Sequence, residues 1–157
     1  MYEQELKKCI EEESKYKFKS FSQKDAWDLG LELVAACSEM EGPLAVEIEI
    51  NRIVVFRYFP EGTGRFHEMW LERKRNTVNT VNKSTLRVFY ELQNASEDIE
   101  NDWLLPKTDY ADCGGAFPIR LIDGCLIGSI AVSGLPHLRD HYALISGIER
   151  YWEKYRS

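Results

Sequence analysis

At 157 residues, 44% hydrophobic and 12% aromatic, the chain has the length and composition of one globular domain rather than of a disordered protein. A net charge of −6 argues against nonspecific partnership with nucleic acid or an anionic membrane, and no apolar run approaches the roughly 18 residues of a spanning helix. Met1-Tyr2-Glu3-Gln4-Glu5 lacks the basic-then-apolar pattern of a secretory leader, so the sequence predicts a cytoplasmic protein with no membrane partner.

Residues 2–14 place Leu6, Cys9 and Ile10 on one face of a weakly apolar helix that needs a partner. Residues 1 to about 20 are expected to form a helical extension of a single domain spanning 1–157. Tyr16, Phe18 and Ser20 alternate with Lys17 and Lys19, as a short strand or an extended connector would. Ser22 with Asp25 resembles a capping pair, and Trp27, Leu31, Val34, Ala35 and Ser38 recur at helical spacing until Gly42-Pro43, predicting a helix over 23–40. Leu44, Val46, Ile48 and Ile50 alternate with Ala45, Glu47, Glu49 and Asn51, whereas Ile53 to Phe56 are apolar throughout. Two antiparallel strands turning near Asn51-Arg52 follow, the second expected to lie deeper because it offers water no polar face before Arg57.

After the loop of Pro60, Gly62 and Gly64, the residues Phe66, Trp70, Arg73 and Thr77 fall at helical intervals, with a break expected over 79–83. Ser84 then caps a helix that turns Leu86, Phe89 and Tyr90 inward. Residues 94–112 are acidic and read as a loop anchored by Trp103-Leu104-Leu105. Phe117 to Ile122 and Cys125 to Val132 read as strands joined by a type I′ turn at Asp123-Gly124. Pro136 opens a last helix whose stripe runs Leu138, Tyr142, Ile145, Ile148, Trp152 and Tyr155. Antiparallel hairpins separated by helices predict an α+β fold with helices packed on the sheet.

Four groups of residues carry candidate chemistry. His137 and His141 stand four apart on one helix face beside Asp140, a spacing that suits two metal ligands or a haem edge, or else a solvated His137 and a hydrogen-bonded, partly buried His141. Gly114-Gly115 and Ser133-Gly134 either satisfy turn geometry or present backbone N–H groups to a carboxylate or phosphate. The basic segment from Arg65 to Arg87 sums to +4, counting Arg65, Arg73, Lys74, Arg75, Lys83 and Arg87 against Glu68 and Glu72. It suits an anionic ligand, or a subunit surface complementary to the acidic loop. Cys9, Cys37, Cys113 and Cys125 form no Cys-x-x-Cys pair, as reduced thiols would be arranged.

Trp70-Leu71-Glu72-Arg73-Lys74-Arg75-Asn76-Thr77-Val78, then Gly114-Gly115-Ala116-Phe117-Pro118-Ile119, a strand ending Val132-Ser133-Gly134-Leu135-Pro136, and Asp140-His141 together resemble the haem-degrading-domain superfamily, the GlcG/HbpS-like proteins. Within it the likeness is to uncharacterised protein family 0303, from about Ala45 to the C-terminus. The resemblance implies a profilin-like antiparallel sheet, haem or another small anion as ligand, and a homo-oligomer. Its candidate ligand-binding residues here are Trp70, Arg73, Lys74, Cys113, Gly114, Gly115, Ser133, Gly134 and His141. Cys113 stands where the family usually shows histidine; a thiol ligates soft metals or haem iron but does not reproduce imidazole proton transfer near neutral pH.

Three functions follow as expectations: a binder of haem or another small anionic ligand with little or no catalysis, a noncatalytic homo-oligomeric interaction module, and an enzyme using Cys113 and His141. The aromatic residues Tyr58, Phe59, Phe66, Trp70, Trp103, Tyr151, Trp152 and Tyr155, clustered near element ends, favour contact with a second subunit.

Overall fold

Side-chain alternation along two central strands decides how the layers stack. The computed structural model describes residues 1–156. In chain order the elements are α1 (Glu3–Lys15), α2 (Gln23–Ser38), β1 (Ala45–Ile50), β2 (Ile53–Tyr58), α3 (Arg65–Val81), α4 (Thr85–Ala95), β3 (Ala116–Arg120), β4 (Leu126–Ser133) and α5 (His137–Tyr155). The four strands form one antiparallel sheet in the order β2-β1-β4-β3, so the fold is α+β. Val46 and Ile48 of β1, Phe117 and Ile119 of β3, and Ile130 and Val132 of β4 point to one face, where Leu29 and Leu33 of α2 and Leu144 and Ile148 of α5 complete the main core. Ala45, Ala116 and Ala131 point to the other face, and their small side chains let α3 settle closely through Leu71 and Val78.

This arrangement reverses one expectation. The deeper strand is β1, not β2: β2 lies at the sheet edge with Ile53 65% exposed, whereas Glu47 and Glu49 of β1 are buried. The two glutamates are polar in sequence but face α3 rather than water. Glu47 meets Arg57 at 2.6 Å and Arg75 at 3.1 Å. Glu49 accepts from Asn79 Nδ2 at 2.9 Å, Ser129 Oγ at 2.8 Å and the Arg52 N–H at 2.7 Å. Burial of a carboxylate is tolerable only when its lone pairs are filled in this way.

The other elements form for local reasons. Ser22 Oγ accepts the Asp25 N–H at 3.2 Å while Asp25 returns the bond to the Ser22 N–H at 2.9 Å, closing the capping box that starts α2. The β1–β2 hairpin turns on Asn51 and Arg52, both at positive φ. The β3–β4 connection is longer than the expected type I′ turn. Leu121 pairs with Cys125, the Gly124 N–H reaches Leu121 O at 2.8 Å, and Gly124 alone adopts positive φ, as a type I turn followed by a left-handed glycine does. The helix α3 extends into the segment 79–83 as far as Val81 and breaks within it, where Asn82 turns left-handed.

Two further expectations are corrected. In the 96–115 loop Trp103 and Leu105 pack on the cluster of Val88 and Leu92 as expected, but the fully buried anchor of that cluster is Ile99, and Leu104 is 78% exposed. The buried face of α5 is centred on Leu144, Ile148 and Tyr151 rather than on Leu138, Tyr142 and Tyr155, which are exposed. It also includes Asp140 and His141, because α3 and α1 bring each a polar partner. Tyr16 and Phe18 form the connector, Phe18 bonding to the chain beside β3 through Arg120 O and the Ile122 N–H. The partner that α1 needs is α4: Cys9 packs on Leu86 and Tyr90, and the buried Glu13 accepts the Ser84 N–H at 3.0 Å and pairs with Arg87 at 3.1 Å.

Candidate functional site

Phe66, Trp70 and Lys74 recur at intervals of four along α3 and therefore share one side of that helix. With His67, Cys113, the segment Ser133-Gly134-Leu135 at the end of β4, and His137 and Asp140 at the start of α5, they line a cavity of about 240 Å³. Its floor is an ion pair. Lys74 Nζ lies 2.9 Å from Asp140 Oδ2 and donates to Val132 O at 2.8 Å, with both side chains almost wholly buried. Asp140 Oδ1 accepts the Leu135 N–H at 2.8 Å, so the carboxylate also fixes the turn that carries Gly134.

Two glycines make room for this arrangement. Gly115 has φ +127°, and a Cβ there would stand 2.5 Å from Lys74 Nζ and 2.6 Å from Val132 O. Gly134 has φ +153°, and a Cβ there would meet Pro43 O. Both positions combine a backbone conformation that side chains disfavour with a crowded neighbour.

The pocket's histidines are held by backbone. His137 Nδ1 accepts the Gly114 N–H at 2.9 Å, and His67 Nδ1 accepts the Gly64 N–H at 3.1 Å. In each ring the hydrogen-bond network therefore assigns the proton to Nε2. Burial, and then the positive charge of Lys74, holds His137 below the usual histidine range. Burial also raises the Cys113 thiol above its usual value, against the opposing pull of Lys74, so it is protonated at neutral pH.

Of the residues singled out from sequence, Trp70, Lys74, Cys113, Ser133, Gly134 and His137 come together here. Gly114 and Gly115 lie buried directly behind the lining. Arg73 stands beside it, its guanidinium 4.1 Å from the Trp70 ring centroid, with Nε buried and unpartnered and one terminal nitrogen 3.5 Å from Tyr110 O. His141 is elsewhere: it lines a second cavity, with Nε2 2.9 Å from Glu12 Oε1. The two imidazoles thus do not converge, and among the described residues no three His, Cys, Asp or Glu side chains cluster to hold a metal ion. Sequence reasoning missed Phe66, His67, Leu135 and Asp140 as lining residues. The spacing of Phe66, Trp70 and Lys74 was the available signal for the first, whereas Asp140 required knowing that its neighbour is a lysine 66 positions away.

The basic segment is not a free surface. Arg65 pairs with Glu68, Lys74 with Asp140, Arg75 with Glu47, Lys83 with Glu91, and Arg87 with Glu13 and Glu91. Arg73 alone lacks a carboxylate among the described residues, because its neighbours are an aromatic ring and a carbonyl. Of the aromatics expected at element ends, Tyr58, Phe66 and Tyr155 are exposed, but Tyr151 is buried in the main core.

Comparison with known proteins places this geometry in a group. The family described as haem degrading protein HbpS-like matches residues 21–149. A UPF0303 protein of Yersinia pestis is 32% identical over 143 residues, 91% of this chain and 84% of that one. Another from Serratia proteamaculans is 34% identical over 147 residues, 94% of this chain and 91% of that one. Among solved structures, the Ybr137w protein superposes with a TM-score of 0.86 at 22% identity, covering 95% of this chain and 88% of that one. A PduOC:heme complex does so with a TM-score of 0.70 at 16% identity, covering 83% and 94%. At these identities the superpositions establish the fold.

Replacing Gly115 or Gly134 by Ala is expected to cost more than the ~1 kcal/mol of an ordinary glycine-to-alanine strain, read as a lowered midpoint in thermal or urea unfolding. Lys74→Met should cost about 3–5 kcal/mol, because it strands a buried carboxylate, and the double variant Lys74→Met/Asp140→Asn should cost less than the two single losses added. A double-mutant cycle by urea unfolding measures this; strict additivity would show that the pair is not coupled.

Proposed function

The chain belongs to the HbpS-like family of haem-degrading proteins, and from that membership and the chemistry of the pocket we propose that it binds a small anionic ligand, haem carboxylates included, with little or no catalysis. The observation that carries this reading is the engagement of Nδ1 on both pocket histidines. The lining then offers N–H, O–H and S–H donors, and the only carboxylate, Asp140, has an oxygen committed to Lys74 and another to the Leu135 N–H. A lining dominated by donors suits a carboxylate or phosphate. The unpaired Arg73 guanidinium beside Trp70 adds positive charge next to it.

A volume of about 240 Å³ lies below the roughly 300–1,000 Å³ of pockets that engulf drug-sized ligands, so one protomer encloses a compact anion or the edge of a larger molecule. A solved neighbour of the same fold is a complex with heme, which supports a porphyrin as that larger molecule. The donor set fits its carboxylates and does not fit its iron. The imidazole lone pairs are spent on backbone N–H groups, and burial keeps Cys113 as a thiol. An enzyme built on Cys113 and His141 lacks support for a related reason, since the two residues line different cavities and no hydrogen bond joins them.

A second property is favoured by exposed apolar side chains on neighbouring elements. Trp27 and Leu31 of α2 and Ile53 and Tyr58 of the edge strand β2 are all about half exposed or more, and Trp27 packs edge-on against Phe56 of β2. We read this surface as the contact of a homo-oligomer, in which a second copy covers the sheet edge. We also read residues 1–157 as one cytoplasmic domain with α1 as its extension. The net charge of −6 supports the absence of a nucleic-acid partner, and no described helix is long and apolar enough to cross a membrane.

Titration with haemin and with iron-free protoporphyrin IX tests the ligand reading, because the two share their carboxylates. Affinities within about threefold of each other, competition by succinate, and an unchanged Soret position in Cys113→Ser are expected. Haemin binding tighter by about tenfold or more, with a Soret band lost in Cys113→Ser, would overturn it, as would failure of both porphyrins and succinate to bind. For assembly, sedimentation at micromolar concentration should give a species heavier than the 18.3 kDa monomer. A single monomeric species across that range sinks the oligomer.

A further inference from the structure

A second cavity, of about 360 Å³, is walled by α1, α4 and α5. We propose that it is a binding site for a small organic cation, a primary ammonium on a short apolar body. The apolar wall is Cys9, Leu86 and Ile145. The charged lining is Glu5, Glu12 and Glu149 against the single basic residue Lys8, the opposite of the donor-lined pocket beside α3.

Glu12 is the centre of the argument. Its Oε1 lies 2.9 Å from His141 Nε2, and its Oε2 has no hydrogen bond among the described residues. His141 is 6% exposed, and its Nδ1 is buried without a partner. The His141 ring thus engages one oxygen of Glu12 through Nε2, and the other carboxylate oxygen is left for a ligand. Glu12 therefore offers a free carboxylate oxygen to a half-enclosed, partly apolar space, where an ammonium is the complementary group.

The surrounding groups agree with a negative field. Burial pushes the Cys9 thiol up to about 12, with Glu12 and Glu13 adding to the effect. Burial raises the Tyr90 phenol too, with neighbouring Glu5 adding to the effect. Tyr90 thus remains a neutral ring whose face suits a cation. Lys8 is the one Lys or Arg in the lining, against three glutamates; outside it, Arg87 pairs with Glu13 and Glu91, and Arg139 pairs with Glu41 while covering the ring of Tyr142. The acidic wall on α1 lies outside residues 21–149, so the family match neither includes nor explains it.

The test uses 2-phenylethylammonium as probe, with 2-phenylethanol and 3-phenylpropanoate as neutral and anionic counterparts, followed by backbone amide shifts of the full chain at low ionic strength. Saturable shifts at Cys9, Leu86 and Ile145 are expected for the ammonium, with an affinity at least about fivefold above that of the alcohol and falling as salt is raised. Glu12→Gln, which retains an oxygen for His141, and the surface change Glu149→Gln should each weaken the ammonium by about threefold to tenfold. Cys113→Ser should leave it unchanged. Equal affinity for the alcohol, shifts centred instead on residues 66–74 and 133–137, or no saturation would overturn the proposal. If Glu12→Gln narrows the folded range, Glu149→Gln decides by itself: an unchanged affinity there removes the charge argument.

Discussion

The contact between Lys74 and Asp140 joins α3, on one side of the sheet, to α5, which packs on the other. A buried ion pair is poor evidence of net stability, since desolvating both charges costs nearly what their attraction returns. Its value here is positional. Lys74 Nζ is also tied to Val132 O at the end of β4, and Asp140 to the Leu135 N–H just beyond, so two helices and a strand end are fixed to one point. The cavity above that point inherits its shape from the pair, and Gly115 must lack a side chain for the ammonium to fit.

The same logic explains why so basic a helix presents so little free charge. Its Arg75 and Asn79 reach buried carboxylates of β1, and Lys74 reaches that of α5. The positive charge between Arg65 and Arg87, that of Arg73 excepted, is thus paired inside one chain. Removing a cation from such a set leaves a carboxylate stranded in low dielectric, which couples the electrostatics of the helix to the stability of the sheet beneath it.

Much of this was legible in sequence, and the failures have a common cause. Helix α2 announced itself through Ser22 and Asp25, and the last hairpin through Gly124, because caps and turns are decided within a few residues. The depth of β1 was misread because Glu47 and Glu49 look solvent-facing until Arg75 and Asn79 are known to lie across from them. The stripe of α5 was misplaced in the same way, since Asp140 and His141 count as polar in any periodicity yet face inward. Trp70, Lys74, Ser133 and Gly134 were found together in sequence as a family pattern, with Cys113 as a departure from it, but their meeting in one cavity is a property of the β4–α5 turn folding back on α3. Long-range charge pairing leaves no local signature.

That pairing also explains how one helix serves two cavities of opposite character. Asp140 and His141 are neighbours on α5, about 100° apart around its axis, so one contributes to the space beside α3 and the other to the space beside α1. The wall between them is thin: a Cβ on Gly114 would stand 2.8 Å from His137 O, 3.2 Å from Leu86 Cδ1 and 3.3 Å from His141 Cβ. Leu86 itself lines the second cavity, and the Gly114 N–H holds His137 in the first. Each histidine is oriented by a different kind of partner, a backbone donor for His137 and a carboxylate acceptor for His141. The fold thus uses one residue type, four positions apart on a single helix, to keep a donor in one cavity and to orient a carboxylate in the other.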